Sequence, residues 1–437
     1  MTPTSPRPAP RHRLLALLGF LALLSASCAD DKPLNTFEPR GPKAESIDTL
    51  MVWIWPIMGI IFVLVVGGTI WLAIKHRVKP DDFSHDDLPA QIHGNTRLEL
   101  TWTIVPAILL AVISVPTVAG IWELEQRNDS EGSIDVMVIG QQWWWEYRYD
   151  VDGDGFFVDA NGDGRIDDAD RQLPLEFALD PDDVVTANEL VIPAGEQVDL
   201  VLTSRDVIHS FWIPRLNGKR DSVPGRWHTW SLEAFEPGKY TGWCTEFCGL
   251  SHARMRMSVI ALPRDEFDAW LAGQAEPADI PTDEEALAGR EIFRNQCMSC
   301  HVIDEDPLDA NGDPNPDALA YPDNFVAALT AGAAPDLTHF ATRSVFAGAI
   351  YSTYDGPGTD AADDALDVTD YLRLPELAAQ AASPDDYRWN TATLKRWVAN
   401  APAMKDMAPD EQRGMLAFPQ LTDEQLDQVV AYLATLD

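Results

Sequence analysis

Two pairs of cysteines, each with a histidine nearby, are the residues of this sequence with the most chemistry to offer. In the first pair, Cys244 and Cys248 are followed by His252 and Met255, and His209 lies upstream. Thiolate, imidazole and thioether ligands together favour copper over hard cations. A disulfide and a zinc site are the alternatives, but neither explains Met255, because zinc rarely uses a thioether. The pattern therefore predicts a copper centre on one loop, closed by His209.

The second pair has the spacing CxxCH, with Cys297, Cys300 and His301. In this motif the two thiols form thioethers to a haem and the histidine binds its iron, so we predict a covalent c haem here. Three methionines could supply the other axial ligand: Met404, Met407 and Met415. Core packing is the alternative role for any one of them.

An acidic stretch over residues 150–183 contains a pattern that is typical of a calcium loop. Its oxygen ligands and one glycine follow the 12-residue calcium template, with aspartate in place of the final glutamate. The residues at the ligand positions are Asp159, Asn161, Asp163, Arg165, Asp167 and Asp170. A solvated acidic loop is the alternative. The related string Asp309–Asp313 continues with Pro314 where glycine is required, which predicts a loop only.

The elements that must position these sites begin with an export signal. Basic residues, a short apolar run and small residues lead to Cys28, so residues 1–28 are predicted to be a signal peptide. The residues before Cys28 match a bacterial lipoprotein cleavage box in part, which leaves lipidation and ordinary cleavage both open. Residues 29–49 are then an exterior N-terminal segment.

Two transmembrane helices are predicted within residues 50–123. Segments 50–74 and 100–122 lack charged residues and exceed the roughly 20 residues that cross a bilayer. The loop between them carries four Lys and Arg residues, which makes it cytoplasmic by the positive-inside rule and puts everything after residue 122 outside. The basic residues are Lys75, Arg77, Lys79 and Arg97.

The exterior part is predicted to contain two domains. Short strands separated by Pro and Gly predict an all-β sandwich or barrel over residues 134–262. Residues 263–281 are Pro-rich and acidic and are predicted to be a linker. Residues 282–437 are predicted to form an all-α haem domain, with capping boxes at Thr282 and Thr422 that begin its first and last helices.

Four motifs give the sequence from about residue 49 to 262 a close resemblance to cytochrome c oxidase subunit II. They are Gln142–Tyr147, Asp206–Trp212, Asp221–Arg226 and Cys244–Met255. The resemblance implies a cupredoxin-like domain with a dinuclear CuA centre, in which both cysteines bridge the two coppers. The implied ligands are Cys244, Cys248, His209, His252, Met255 and the backbone carbonyl of Glu246. It also implies that the Glu246 side chain faces a Mg²⁺ or Mn²⁺ site shared with subunit I.

The same resemblance implies two further roles. Trp143 matches an exposed tryptophan at which electrons enter, although an aromatic residue on a strand more often serves packing. Glu99 matches a carboxylate at the mouth of a proton pathway into subunit I, and a simple interfacial charge is the alternative.

Residues 282–437 resemble a class I cytochrome c. The resemblance implies that Gly289 and Phe293 contact the last helix and that the Pro335 carbonyl holds the His301 ring. Its spacing favours Met415 as the sixth ligand. Residues 304–333 and 344–386 exceed what a minimal cytochrome needs.

The whole chain resembles subunit II of a caa-type oxidase, in which the donor cytochrome is fused to the enzyme. This implies a bacterial inner-membrane subunit that works with subunits I and III. Electrons would pass from a cytochrome c or another basic donor through the haem to CuA and then to subunit I, which reduces oxygen to water and pumps protons. A CuA-containing nitric oxide reductase and a membrane-tethered electron-transfer protein without a catalytic partner are the alternatives.

The charge of the chain agrees with a basic donor. Its 32 basic and 69 acidic residues give a net charge of −37, which would repel nucleic acid. A high-salt habitat would explain the same composition.

Overall fold

A computed structural model describes most of the chain. The described residues are 32–77, 94–126, 134–151, 184–305, 318–319, 334–361, 364–383, 386–408 and 414–437. The predicted signal peptide, including Cys28, and the predicted calcium loop over 159–170 lie outside the described residues.

Two long helices, α1 (Pro42–Lys75) and α2 (Thr96–Leu124), contain the predicted spans and extend beyond both ends of each. Large apolar side chains such as Phe62 and Leu110 are exposed on them. Both helices are long and apolar enough to cross a membrane, and a helix that is apolar on all sides needs apolar surroundings. Lys43 ties the start of α1 to the end of α2, donating to the Glu123 carbonyl at 2.7 Å.

Short strands form the domain predicted over residues 134–262. They are β1 (Ile134–Gln141), β2 (Trp144–Tyr149), β3 (Val184–Ala187), β4 (Glu189–Pro193), β5 (Val198–Ser204), β6 (His209–Phe211), β7 (Arg220–Ser222), β8 (His228–Leu232), β9 (Gly238–Trp243) and β10 (Arg256–Leu262). One sheet has the order β3-β2-β1-β5-β8 and another has the order β4-β10-β9, while β6 pairs with β7. β1 runs parallel to β5, and β4 runs parallel to β10. The sheets share one buried apolar core, so the predicted all-β architecture is confirmed.

Residues 263–281 need a correction, because much of this predicted linker is a helix, α3 (Arg264–Gln274). Phe267 and Trp270 lie one helical turn apart and are buried in the core of the β domain. The Trp270 ring packs edge-on against Tyr149, with ring centroids 5.3 Å apart. Its apolar face makes α3 part of the β domain.

The C-terminal part is mainly helical in the residues described. Its helices are α4 (Glu284–Gln296), α5 (Val368–Tyr371), α6 (Leu374–Ala379), α7 (Thr391–Met404) and α8 (Asp423–Leu433). Four two-residue strands, which the all-α prediction does not include, pair as β11 (Val345–Phe346) with β12 (Tyr351–Ser352) and β13 (Tyr354–Asp355) with β14 (Arg388–Trp389).

Helices α4 and α8 cross closely. The rings of Phe293 and Tyr432 lie 5.6 Å apart, and a Cβ on Gly289 would stand 1.9 Å from the Gln428 carbonyl oxygen. The predicted contact of Gly289 and Phe293 with the last helix is therefore confirmed. The predicted capping box at Thr422 is also present. The N-cap of α4 is Asp283 rather than Thr282, which corrects that prediction by one residue.

Residues 344–386, in excess of a minimal cytochrome, pack onto the β domain. Tyr354, Val368 and Tyr371 are buried in the same core as the β strands. Asp364 accepts hydrogen bonds from the backbone and the hydroxyl of Thr241, at 2.8 and 2.5 Å. This segment therefore joins the two exterior domains.

Candidate functional site

Strand β6 and the β9–β10 loop bring the predicted copper ligands together. The Cys244 Sγ lies 3.8 Å from the Cys248 Sγ and 3.9 Å from His209 Nδ1. The Cys248 Sγ in turn lies 3.6 Å from His252 Nδ1 and 3.8 Å from Met255 Sδ. Each cysteine thus faces the other and has one histidine of its own, a cluster with room for soft metal ions.

The two cysteines are buried and free, so the structure does not contain the alternative disulfide. The hydrogen bond between them lowers the pKa of Cys244. The same contact and burial raise the pKa of Cys248. Cys244 is thus the more acidic thiol of the two, and the thiolate is the form that binds metals.

Asp206 orients His209, a role that the sequence analysis missed although Asp206 lies in one of its motifs. Its Oδ1 lies 2.8 Å from His209 Nε2, which leaves Nδ1 facing Cys244. Burial lowers the pKa of His209, but the hydrogen bonds with Asp206 and Cys244 outweigh it and raise the pKa. Carboxylates commonly fix a metal-binding imidazole in this way.

The two glutamates with predicted roles are both exposed. The Glu246 carbonyl oxygen lies 3.3 Å from the Cys244 Sγ, while its side chain points away from the buried cluster. Glu99 lies in the first turn of α2 and its Oε1 accepts from the Asn95 backbone at 3.1 Å. Backbone N–H groups at the start of a helix need an acceptor in any case, so this contact does not test the proton-pathway role. That role stays a prediction.

A cavity of about 1260 Å³, counting its opening to solvent, surrounds the CxxCH motif. Its chemically distinctive lining residues are Cys297, Cys300, His301, Met407 and Met415. Phe293, Phe340 and Phe346 contribute apolar walls. Two cysteines, a histidine and apolar walls are the residue types that a covalent haem would need.

His301 is held as the resemblance implies. Its Nδ1 lies 2.8 Å from the Pro335 carbonyl oxygen, so the predicted contact is confirmed and Nε2 is left to bind a metal. Burial lowers the pKa of His301 and favours the neutral ring, although the bond to Pro335 opposes the effect.

The three methionines differ in position. Met407 and Met415 line the cavity. Met404 is not among the lining residues, and its carbonyl accepts hydrogen bonds from Arg254 and Tyr351.

Trp143 is buried, which corrects the expectation of an exposed tryptophan at which electrons enter. Only 3% of its surface is exposed, and it lines the haem cavity from the side of the β domain. Its Nε1 donates to the Cys248 carbonyl at 3.0 Å. The C-terminal domain therefore packs against this tryptophan.

Lys405 was also missed, because a single lysine after a kinked helix carries no sequence signal. Its Nζ donates to the Trp143 carbonyl at 2.7 Å and to the Ala347 carbonyl at 2.8 Å. Burial lowers its pKa to about 7.

Comparison with known proteins decides the family. Residues 134–262 match the family model for the periplasmic domain of cytochrome c oxidase subunit II, and residues 34–119 match the model for its transmembrane domain. Cytochrome c oxidase subunit 2 of Bacillus sp. (strain PS3) is 32% identical over 311 residues, covering 68% of this chain and 77% of the relative. The chain belongs to the cytochrome c oxidase subunit II family.

Two further relatives bear on the extent of the match. Cytochrome c oxidase subunit 2 of Alkalihalophilus pseudofirmus is 29% identical over 424 residues, covering 96% of this chain and 95% of the relative, so the likeness includes the C-terminal extension. Quinol oxidase subunit 2 of Bacillus cereus is 28% identical and covers only 65% of this chain.

Membership of the family gives this subunit its general role. It is the CuA-bearing electron-input subunit of a haem-copper terminal oxidase, in which it assembles with subunit I. Its two apolar helices match the family's transmembrane domain, and the bacterial relatives imply a bacterial inner membrane.

Proposed function

We propose that this subunit accepts electrons at a c haem on its own C-terminal domain and passes them internally to CuA. From there they reach subunit I, which reduces oxygen to water and pumps protons. The observation that carries the proposal is Trp143, which lines the haem cavity and donates a hydrogen bond to the carbonyl of Cys248. One side chain thus touches both candidate sites.

In this proposal Cys244 and Cys248 bridge two copper ions, and a thiolate-bridged pair spreads one electron over both metals. His209 and His252 are the terminal ligands, and Met255 and the Glu246 carbonyl are weak ligands. The two adjacent sulfur atoms with one histidine nitrogen on each outer side, at neighbouring distances of 3.6 to 3.9 Å, support this assignment. Met255 is fully buried beside Cys248, which favours copper over zinc.

The haem is attached through Cys297 and Cys300, with His301 and Met415 as axial ligands. The neutral, oriented ring of His301 supports its role. The family spacing supports Met415, and Met407 is its competitor because it lines the same cavity.

Other roles rest on the resemblance. The exposed Glu246 side chain is accessible to a Mg²⁺ or Mn²⁺ ion shared with subunit I, and Glu99 leads to a proton pathway. Subunit III is a further partner, and a cytochrome c or another basic protein is the donor. Calcium binding by the insertion is tested by titration calorimetry, in which Asp163→Ala should abolish the binding isotherm.

Purification in mild detergent separates this function from its rivals. We expect a haem-copper subunit to co-purify, a mixed-valence dicopper EPR signal, a low-spin c-haem spectrum, and oxygen consumption with a reduced basic cytochrome c. Reduction of nitric oxide instead of oxygen would favour the reductase. A chain that purifies without a haem-copper subunit would favour an electron-transfer protein with no catalytic partner.

A further inference from the structure

One buried lysine of the C-terminal domain donates a hydrogen bond to the backbone of Trp143. The Lys405 side chain is 2% exposed, and its Nζ links the carbonyls of Trp143 and Ala347, which belong to different domains. Burying an ammonium group is unfavourable unless hydrogen bonds replace its water. Here the two hydrogen bonds of Lys405 replace that water, and they join the CxxCH cavity to the β domain.

A strained loop, residues 347–349, lies against the same carbonyl. Ala347, Gly348 and Ala349 have φ angles of 58°, 77° and 55°, a left-handed conformation that alanine rarely adopts. The Arg256 backbone N–H donates to the Gly348 carbonyl at 3.0 Å, which fixes the loop to β10. A Cβ on Gly348 would stand 2.4 Å from both the Trp143 oxygen and Lys405 Nζ. Strain of this kind persists only where surrounding contacts hold it, and such sites are often functional.

We propose that Lys405, supported by the 347–349 loop, is a positioning residue that holds Trp143 as an electron relay between the haem cavity and Cys248. The proposal rests on the proposed function, because it assumes a haem in the cavity and a dicopper centre at Cys248. In the step concerned, reduced haem iron loses one electron and the dicopper centre gains it. No covalent bond forms or breaks, and no proton is transferred. Lys405 acts through the Trp143 backbone carbonyl, and it also lines the CxxCH cavity.

The test compares three variants in the purified oxidase complex. Lys405→Met keeps a long side chain without a donor, and Lys405→Arg keeps donors. Lys395→Met is the matched control, because Lys395 is on α7 and its ion pairs among the described residues are with the surface carboxylates of Asp423 and Asp427. A soluble photoreductant injects one electron into the haem, and the haem and copper absorption bands are followed in time.

We expect Lys405→Met to slow haem-to-copper transfer about tenfold or more, since small misplacements of a reacting group have effects of this size. The copper EPR signal and the c-haem absorption bands should persist, which shows that both centres are assembled in the variant. Lys405→Arg should recover much of the rate, and Lys395→Met should match the parent. In the metal-free chain, Lys405→Met should speed hydrogen exchange at the Arg256 amide.

A fourth variant, Gly348→Ala, keeps the test decisive if Lys405→Met does not fold. Gly348→Ala places a methyl group against Trp143 and Lys405, and it should slow the transfer as well. Parent-like rates in Lys405→Met, or in Gly348→Ala if Lys405→Met does not assemble, overturn the role of Lys405. If the parent complex itself shows no haem-to-copper transfer, the proposed function fails first.

Discussion

At the residue scale, each half of the copper cluster pairs one cysteine with one histidine. Cys244 lies beside His209, and Cys248 lies beside His252. Both cysteines would bind metal ions as thiolates. The haem cysteines lie in a separate cavity, so the two sites should be separable by mutation.

Cys244→Ser should abolish the dicopper EPR signal while the c-haem absorption bands remain. Cys297→Ser should disrupt covalent haem attachment and leave the copper signal in place. Metal analysis and haem staining of denatured protein provide the two readouts. A copper signal that survives Cys244→Ser contradicts the ligand assignment.

Met415→Leu should remove the near-infrared absorption band of methionine-ligated ferric haem. Met407→Leu serves as the matched control and should retain it, because both side chains line the cavity but only one can bind the iron. If Met407→Leu loses the band and Met415→Leu keeps it, Met407 is the axial ligand.

Local motifs made much of the site predictable. Cys244, Cys248, His252 and Met255 lie on one loop, so spacing alone brings them close. His209 comes from a distant strand, so it was linked to them by its residue type and by the family resemblance and not by spacing. Lys405 and the burial of Trp143 depend on a contact between positions 262 residues apart, for which the sequence has no periodic signal.

At the element scale, the α4–α8 crossing holds the start of the CxxCH segment, since Cys297 is the C-cap of α4. Gly289 permits the close approach of the two helices. The capping box of α8 was predictable, because its residues are adjacent in sequence. Helix α3 was missed because the acidic and Pro-rich composition around it concealed the spacing of Phe267 and Trp270.

Gly289→Ala should destabilise the C-terminal domain by about 1–3 kcal/mol, the usual cost of overpacking. The added methyl would meet the Gln428 carbonyl, which belongs to the backbone and cannot move alone. Gly273→Ala on α3 is the control, since nothing lies within 4 Å of its Cβ, and it should be neutral or stabilise by up to about 1 kcal/mol. Denaturant unfolding followed by haem absorption measures Gly289→Ala, and tryptophan fluorescence, to which Trp270 on α3 contributes, measures Gly273→Ala. A Gly289→Ala variant as stable as the parent would contradict the packing argument.

At the scale of the whole molecule, the two exterior domains are joined by buried polar contacts. Glu189 accepts hydrogen bonds from the backbone and the hydroxyl of Ser344, and Asp364 binds Thr241 and Arg215. Residues 344–386 therefore act as a clamp that keeps the haem cavity against Trp143. The net charge of −37 acts on a different partner, since it attracts a basic donor from a distance in low salt.

Asp364→Ala should loosen this clamp at a cost of about 1–3 kcal/mol, because it leaves the buried Thr241 amide without its acceptor. We expect faster proteolysis of the C-terminal domain and slower haem-to-copper transfer. Asp268→Ala is the control, because its ion pair with Arg264 is exposed and should contribute less than about 1 kcal/mol. Unchanged proteolysis in Asp364→Ala would mean that the clamp does not depend on this contact.

The central claim is that haem and dicopper centre exchange electrons within one chain. The most direct measurement injects a single electron into the haem of the purified parent oxidase and records both absorption bands at several protein concentrations. The account predicts that the haem is reoxidised as the dicopper centre is reduced, with one rate constant that does not depend on protein concentration. A rate that rises with concentration, or haem reoxidation that leaves the copper oxidised, would contradict it.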